Sequence, residues 1–355
     1  MANYKSDIET KLINEKEKLL ESVPEFLYTY IEDYLPSISN ELRSHIAYAK
    51  DIINFLQYYS TLLNKEVIDI SLEDMNNVNL RILNNYFKYI TQYTVKITTK
   101  KGKEITKVRT NSLASKSRKL AALKKLYSYL NKYKYINTNP TEDMKITRPD
   151  VTKIDDKLDA YEIQEITDEI EKGENIDSAL ERKAHNRLML RDTTIFVILA
   201  YTGIRVSELV SLDISDVDAK KCTIKVYRKN NKIEEIPYPE EVSNYIDRYL
   251  VYREQINDKV KQEYKKALFI SQMNTRISTE SVRILVKKYS KRLNIDISGC
   301  HTIRKTLLSS LYNQTGDIRL TARIGGHSVA TASKYYADVD DDRLRNTMRG
   351  FTYKK

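Results

Sequence analysis

The chain has 355 residues, a formal net charge of +11 and eight glycines. This length predicts two domains rather than one compact core, and the charge favours a polyanionic partner such as nucleic acid. Because no segment matches a glycine-rich phosphate-binding loop, the sequence argues against an ATP-driven motor and against a dinucleotide-binding enzyme.

The cysteines and the apolar segments exclude several classes of protein. Cys222 and Cys300 are the two cysteines and form no CxxC pair, which argues against a disulfide framework and a cysteine-based zinc site. No apolar run is long enough to cross a bilayer, and residues 1–20 do not resemble a signal peptide. We therefore expect a cytoplasmic protein without membrane attachment.

The first predicted domain, residues 1–151, is an all-helical bundle. Apolar residues recur there at three- and four-residue spacing, the pattern of an amphipathic helix. The two clearest stretches contain Ile46, Ala49, Ile52, Ile53 and Leu56, and Leu80, Leu83, Tyr86, Phe87 and Ile90.

A strongly basic segment lies within this domain. Residues 96–134 contain a single acid, Glu104, and an apolar stripe from Leu120 to Leu130 that predicts a helix with its basic side chains on the opposite face. A solvated charged surface would show the same pattern, but the single sign of the charge favours a surface that faces DNA. The predicted DNA contacts are Lys100, Lys101, Lys103, Lys107, Arg109, Lys116, Arg118 and Lys119.

The second predicted domain, residues 152–355, is mainly helical with one small β-sheet. Asn139-Pro140 ends the preceding helix, and residues 141–157 lack periodicity, which places the boundary near residue 152. Asp159 is the expected N-cap of the first helix of this domain. Strands at 223–227 and 233–238 form a hairpin around the turn 228–232, and helices are predicted at 160–171, 187–201, 278–293, 303–314, 318–324 and 341–348.

Three separated motifs carry the candidate chemistry. In chain order they are Thr202-Gly203-Ile204-Arg205-Val206-Ser207-Glu208-Leu209, then His301-Thr302-Ile303-Arg304, then Gly326-His327 followed nine residues later by Tyr336. Phosphoryl transfer at a DNA diester needs a nucleophile, cations for the non-bridging oxygens and a proton for the leaving oxygen. Each motif alone is weak evidence, but together they supply these groups.

In this order and spacing the motifs resemble the tyrosine recombinase (phage integrase) family. Its signature is an arginine in TGxRxSEL, a lysine in a β-hairpin, HxxR, and GH followed by the nucleophilic tyrosine. The segment 228–237 resembles the hairpin turn GKGxKxRxVP of the family with both glycines replaced. The resemblance implies that the catalytic residues are Arg205, Lys229, His301, Arg304, His327 and Tyr336.

The resemblance also implies a role for each residue. Arg205 and Arg304 would hold the scissile phosphate, with Glu208 orienting Arg205. Lys229 would be the general acid, with Lys232 as the alternative. The histidines are expected to act as follows: His301 accepts the tyrosine proton or binds phosphate, His327 donates to a non-bridging oxygen, and both His45 and His185 are structural or exposed.

Two tyrosines compete for the role of nucleophile. Tyr336 lies at the family's nine-residue separation from His327 and is the predicted nucleophile, whereas Tyr335 is expected to pack its ring in the core. The family cleaves and rejoins DNA through a 3′-phosphotyrosyl intermediate and a Holliday junction, without ATP, metal or any other cofactor. The resemblance implies that the partner is double-stranded DNA with a specific recombination site. It also implies that the chain assembles as a homotetramer on two such sites.

Within the family, the chain looks most similar to the single-protein XerS-type recombinases, which resolve chromosome dimers. The alternatives are an integrase or excisionase of a phage or conjugative element and, from another class, a catalytically silent DNA-binding protein. A type IB topoisomerase shares the chemistry but acts on one duplex.

A C-terminal helix with Leu344, Met348 and Phe351 at helical spacing is expected to dock on a neighbouring subunit, or otherwise to pack on its own domain. The target sequence and any accessory protein are not encoded in these motifs.

Overall fold

The computed structural model describes residues 2–98, 102, 104–146, 157–228, 232–336 and 349. It divides into two compact units, Ala2–Thr152 and Lys153–Lys355. The fold is mostly helical with small antiparallel sheets, which confirms the expected fold class. None of the described helices is both long and apolar enough to cross a membrane.

Helices packed around one apolar core make up most of the N-terminal unit. A π-helical turn, Tyr30–Tyr34, and a 3-10 turn, Val67–Asp69, join some of them. Most of both predicted apolar stripes is buried, including Ile52 and Tyr86, although Leu80 is exposed at the first residue of its helix. The helices are α1 (Ala2–Leu20), α2 (Glu25–Thr29), α3 (Leu35–Ile38), α4 (Leu42–Leu63), α5 (Leu72–Asn76), α6 (Leu80–Tyr89) and α7 (Leu113–Lys132).

One segment departs from the expected all-helical bundle. Strands β1 (Gln92–Thr98) and β2 (Glu104–Thr110) form an antiparallel hairpin in which Tyr93 faces Arg109. The segment alternates β-branched residues with polar ones, a pattern that favours a strand over a helix. Every residue of β2 is exposed. We call β1 and β2 the basic ribbon.

The C-terminal unit is centred on a long buried helix and carries the second sheet. Helix α9 packs against α8, α11 and α13 and buries Ile195, Phe196 and Ile198 completely. The helices of this unit are α8 (Ala160–Lys172), α9 (Ala179–Thr202), α10 (Val206–Ser211), α11 (Glu240–Gln255), α12 (Thr279–Arg292), α13 (Cys300–Thr315), α14 (Ile318–Gly325) and α15 (Val329–Tyr336). Its strands are β3 (Val217–Asp218), β4 (Thr223–Tyr227) and β5 (Ile233–Pro237), antiparallel in that order.

Several local predictions for this unit are confirmed. Asp159 caps α8, with its Oδ1 accepting the backbone N–H of Glu162 at 2.7 Å. The hairpin pairs Tyr227 with Ile233 and Thr223 with Pro237. The predicted helix at 341–348 and the turn residues 229–231 lie outside the described residues.

Candidate active site

The first motif places Arg205 at the junction of two helices. Helix α9 ends at Gly203, whose φ of 59° is readily adopted by glycine, and Arg205 then precedes α10. Glu208 accepts the backbone N–H of Arg205 at 2.7 Å and its Nη1 at 2.9 Å. The Arg205 Nη2 donates to the Gly326 carbonyl at 3.2 Å. Glu208 thus orients Arg205.

Arg304 joins all three motifs. Its side chain rises from α13, and the residue is 2% exposed. The guanidinium donates to the carbonyl oxygens of Gly203 and Gly325, and its Nη2 lies 3.0 Å from the Nε2 of His327. Burial lowers the pKa of Arg304 to about 10, so the group remains charged at neutral pH.

His327 is a neutral acceptor at Nε2 in this arrangement, rather than the donor to a non-bridging oxygen that the resemblance implies. Its Nε2 lies 3.0 Å from Arg304 Nη2 and 3.3 Å from the hydroxyl of Tyr336. A guanidinium only donates, so Nε2 accepts and the ring proton resides on Nδ1. Burial and the positive charges of Arg304 and Arg205 lower the pKa of His327 to about 4. The hydroxyl of Tyr336 lies within hydrogen-bond distance of the same nitrogen and shares its single lone pair with Arg304.

The structure reverses the expected environments of the two tyrosines. Tyr336 is 5% exposed and packs with Leu308 and Ala332, whereas Tyr335 is 54% exposed. The expectation that Tyr335 packs in the core is therefore wrong. Positions 332 and 336 lie four residues apart on α15 and share its buried face, which turns position 335 toward solvent. Burial raises the pKa of Tyr336, and the charges of Arg304 and Arg205 oppose this rise.

His301 lies beside the two arginines in an open cavity. It is exposed in the first turn of α13, and together with Arg205 and Arg304 it lines a cavity of about 530 Å³. Arg283 and Lys287 line the same cavity from α12. Sequence reasoning missed these two cations, although their four-residue spacing places them on one helical face.

The β4–β5 hairpin contributes two further charged residues. The Arg228 backbone N–H donates to the Lys232 carbonyl at 2.8 Å and closes the turn. Lys232 is largely exposed, and its Nζ lies 2.5 Å from Glu234 Oε1. Lys229 lies outside the described residues. Arg228 is only 8% exposed, and sequence reasoning had treated it merely as a turn residue.

The two remaining histidines lie in the interior. His45 is 3% and His185 1% exposed, and the Nδ1 of His185 lies 3.3 Å from the hydroxyl of Tyr289. Burial lowers the pKa of both imidazoles. Of the two roles left open for them, the structure selects the structural one.

The predicted DNA contacts of the N-terminal unit occupy different environments. Lys107 and Arg109 are exposed on β2, and Lys116 donates to the Thr91 hydroxyl at 2.6 Å. Arg118 is half exposed and lies 2.7 Å from Asp51. Lys100, Lys101 and Lys103 lie outside the described residues.

Lys119 corrects one of these predictions. It is 7% exposed, and its Nζ lies 3.1 Å from Asp51 Oδ1. The neighbouring Leu120 and Leu123 belong to the buried face of α7, and position 119 lies close enough to that face to be covered as well. Its ammonium is buried and paired with Asp51 inside the unit, which argues against the predicted DNA contact.

Comparison with known proteins identifies the family. The model of the phage integrase family matches residues 157–343. The tyrosine recombinase XerC of Caldanaerobacter subterraneus is 30% identical over 316 residues, covering 85% of this chain and 79% of the relative. The tyrosine recombinase XerS of Lactococcus lactis strain MG1363 is 25% identical, covering 95% of this chain and 98% of the relative.

Solved structures share the fold. The XerH site-specific recombinase bound to a palindromic difH substrate has a TM-score of 0.63 at 20% identity and covers 87% of this chain and 80% of its own. The Tn1549 transposon integrase in complex with transposon right end DNA has a TM-score of 0.65 at 17% identity, with coverages of 91% and 98%. Because the family model matches more than half of the chain and the XerC relative is 30% identical over 85% of it, the chain belongs to the phage integrase family of tyrosine recombinases.

Proposed function

We propose that this chain is a site-specific recombinase that cleaves and rejoins DNA through a covalent bond between Tyr336 and a 3′ phosphate. The observation that carries the proposal is the contact chain from Tyr336 through His327 to Arg304, whose guanidinium borders the cavity lined by Arg205. A nucleophile, an acceptor for its proton and two guanidinium groups are thus connected.

In the proposed reaction the tyrosine oxygen attacks the scissile phosphorus while the bond to the 5′ oxygen breaks. Arg205 and Arg304 stabilise the charge that grows on the non-bridging oxygens. The tyrosine proton passes to an imidazole. His327 Nε2 lies 3.3 Å from the hydroxyl but has a pKa lowered to about 4, and His301 at the cavity is the second acceptor. Lys229 gives a proton to the 5′ oxygen. The phosphotyrosyl bond is itself a diester, so a 5′ hydroxyl can reverse the reaction without ATP.

The biological role that we propose is Xer-type resolution of chromosome dimers in the cytoplasm. Curated relatives named XerC and XerS match the chain, and the XerS relatives match over 95% of it. Sequencing the DNA that remains covalently attached to the protein in cells tests this role. A single chromosomal site near the replication terminus is expected, and recovery of the ends of a mobile element would identify an integrase instead.

The proposed assembly is a homotetramer on two copies of a specific DNA site. Complete exchange between two duplexes cuts four strands, and each subunit carries one Tyr336. Four subunits therefore supply one nucleophile per strand. Docking of the C-terminal segment 341–351 on a neighbouring subunit remains part of this proposal.

Lys229 is proposed as the general acid, and its substitution should depend on the leaving group. Lys229→Ala should slow cleavage of an ordinary DNA phosphate by roughly 10²-fold or more. It should matter little when sulfur replaces the 5′ bridging oxygen, because a thiolate leaves without a proton. Rates of adduct formation on both substrates check this.

The matched control is Lys232→Ala, which removes an ammonium that lies against Glu234 in the same hairpin. It should show no selective defect on the oxygen substrate. Sulfur rescue in Lys232→Ala but not in Lys229→Ala would transfer the acid role to Lys232.

The basic ribbon is the proposed DNA contact of the N-terminal unit. Lys107 and Arg109 alternate with Val108 along a fully exposed strand, so both project from one face of the ribbon. A two-stranded ribbon fits the major groove, and cations on it can approach DNA phosphates. Tyr93, opposite Arg109, packs against the apolar core and anchors the base of the ribbon.

Neutralising the ribbon should therefore weaken DNA binding in a salt-dependent way. The double variant Lys107→Gln/Arg109→Gln should reduce the slope of log affinity against log salt by about 2 if each side chain contacts one phosphate. Titration of labelled DNA at several salt concentrations measures the slope. Lys11→Gln/Lys18→Gln removes the same charge from exposed positions of α1. An equal change in both double variants would reduce the ribbon effect to net charge alone.

A further inference from the structure

The hairpin that carries Lys229 departs from its family at two positions in a complementary way. In the family turn GKGxKxRxVP, the first glycine corresponds to Arg228 here and the arginine corresponds to Glu234. A cation has thus been gained at one position, and a cation has been replaced by an anion at the other. The two side chains face each other, with Arg228 Nε 2.8 Å from Glu234 Oε2.

Arg228 also connects the hairpin to the helix that precedes His327. Its Nη2 donates to the carbonyl of Ile324, in the last turn of α14, at 2.7 Å. The residue is 8% exposed. A guanidinium buried to this degree is costly unless its charge is balanced. The Glu234 carboxylate supplies the opposite charge, and the Ile324 carbonyl accepts a hydrogen bond from Nη2. The contact therefore crosses from the sheet to the α14 terminus.

Gly326 leaves the space that this guanidinium occupies. A Cβ added at Gly326 would lie 1.4 Å from Arg228 Nη1, and the φ of Gly326 is +55°. Any larger residue would displace the Arg228 side chain. The carbonyl of the same glycine accepts from Arg205 Nη2 at 3.2 Å. Arg228 and Arg205 thus contact the same turn, immediately before His327.

We propose that Arg228 is a positioning residue for the catalytic hairpin. Its side chain holds β4 and β5 against the end of α14, and so fixes the backbone from which the chain continues to the proposed general acid, Lys229. The geometry assigns to Arg228 and Glu234 a constraint that the family turn, with glycine at position 228, lacks. The inference rests on the proposed function, in which Lys229 is the general acid.

The test compares the same two leaving groups in Arg228→Gln. Loss of the contacts to Glu234 and Ile324 should let the hairpin drift, and a misplacement of about 1 Å can cost about 10²-fold in rate. Cleavage of the ordinary phosphate should slow to about this extent, whereas cleavage with a 5′ bridging sulfur should stay near the wild-type rate. A general structural defect, or lost stabilisation of the phosphate charge, would slow both substrates alike.

Two further variants make the result decisive. Glu234→Gln removes the ion pairs of Glu234 with Arg228 and Lys232 but leaves the bond from Arg228 to Ile324. It should show the same selective defect to a smaller extent, and Lys232→Ala shows how much of any effect comes from the Lys232 pair. Arg248→Gln breaks an Arg–Glu pair with Glu171 elsewhere on this unit, where the two side chains lie 2.7 Å apart. It should leave both cleavage rates unchanged. Thermal unfolding of each variant reports its stability.

The failures are separable because Lys229→Ala is measured alongside. If Lys229→Ala itself shows no rescue by sulfur, the assignment of the acid fails. If sulfur rescues Lys229→Ala but not the folded variants of Arg228 and Glu234, Lys229 remains the general acid. The positioning role of Arg228 is then overturned. Normal cleavage of the ordinary phosphate by those variants would overturn it as well.

Discussion

Tyr336→Phe is expected to abolish formation of a covalent protein–DNA adduct while leaving DNA affinity near the wild-type value. The substitution removes one oxygen, which lies 3.3 Å from His327 Nε2, and keeps the ring that packs with Leu308 and Ala332. Burial raises the pKa of this phenol, so it remains protonated at neutral pH and needs an acceptor and nearby cations to attack.

A nicked suicide substrate traps the adduct, and a denaturing gel separates it from free protein. Tyr335→Phe is the matched control, because it removes the same atom from the adjacent, 54% exposed side chain. This control should form adduct at a normal rate. An adduct that persists in Tyr336→Phe and disappears in Tyr335→Phe would reassign the nucleophile.

Much of the catalytic unit could be predicted from sequence because its motifs coincide with local structural signals. Gly203 ends α9 in a left-handed conformation, and Glu208 lies three residues after Arg205, the spacing of a helix N-terminal cap. Asp159 similarly marks the start of α8. Such signals act over a few residues, so one sequence is sufficient to identify them.

Features set by tertiary packing were not predictable in the same way. The burial of Tyr336 rather than Tyr335 depends on which face of α15 meets Leu308. Lys119 lies in a strongly basic segment, which favours a DNA contact. In the structure, its ammonium is paired in the interior with Asp51, a residue distant in sequence. The two strands of the basic ribbon were not predicted, because the charge of a segment carries no information on its secondary structure.

Arg228 shows an intermediate case. The sequence revealed that the family glycine was replaced, and the opposite change at position 234 is visible in the same turn. That pattern alone does not show a contact with α14, because the Ile324 carbonyl is a backbone group 96 residues away. A paired departure from a family motif is therefore a useful signal, but the structure is needed to give it a mechanism.

Arg205→Lys is expected to slow adduct formation by about 10²- to 10³-fold, the usual cost of removing one preorganised donor from a transition-state charge. Lysine keeps the positive charge but loses the planar fork. In the structure, that fork reaches Glu208 and the Gly326 carbonyl with two different nitrogens. A single ammonium cannot reproduce this arrangement and also meet a phosphate. DNA affinity should change little, because the net charge of the cavity is retained.

Single-turnover adduct formation at saturating protein separates this rate effect from binding. The Arg205 side chain is 39% exposed, so its replacement should leave the thermal unfolding midpoint close to that of the wild type. Arg248→Lys makes the same change in an exposed Arg–Glu pair outside the cavity and should react normally. If Arg205→Lys forms adduct as fast as Arg248→Lys, the charge at this position is sufficient and its bidentate geometry has no part in catalysis.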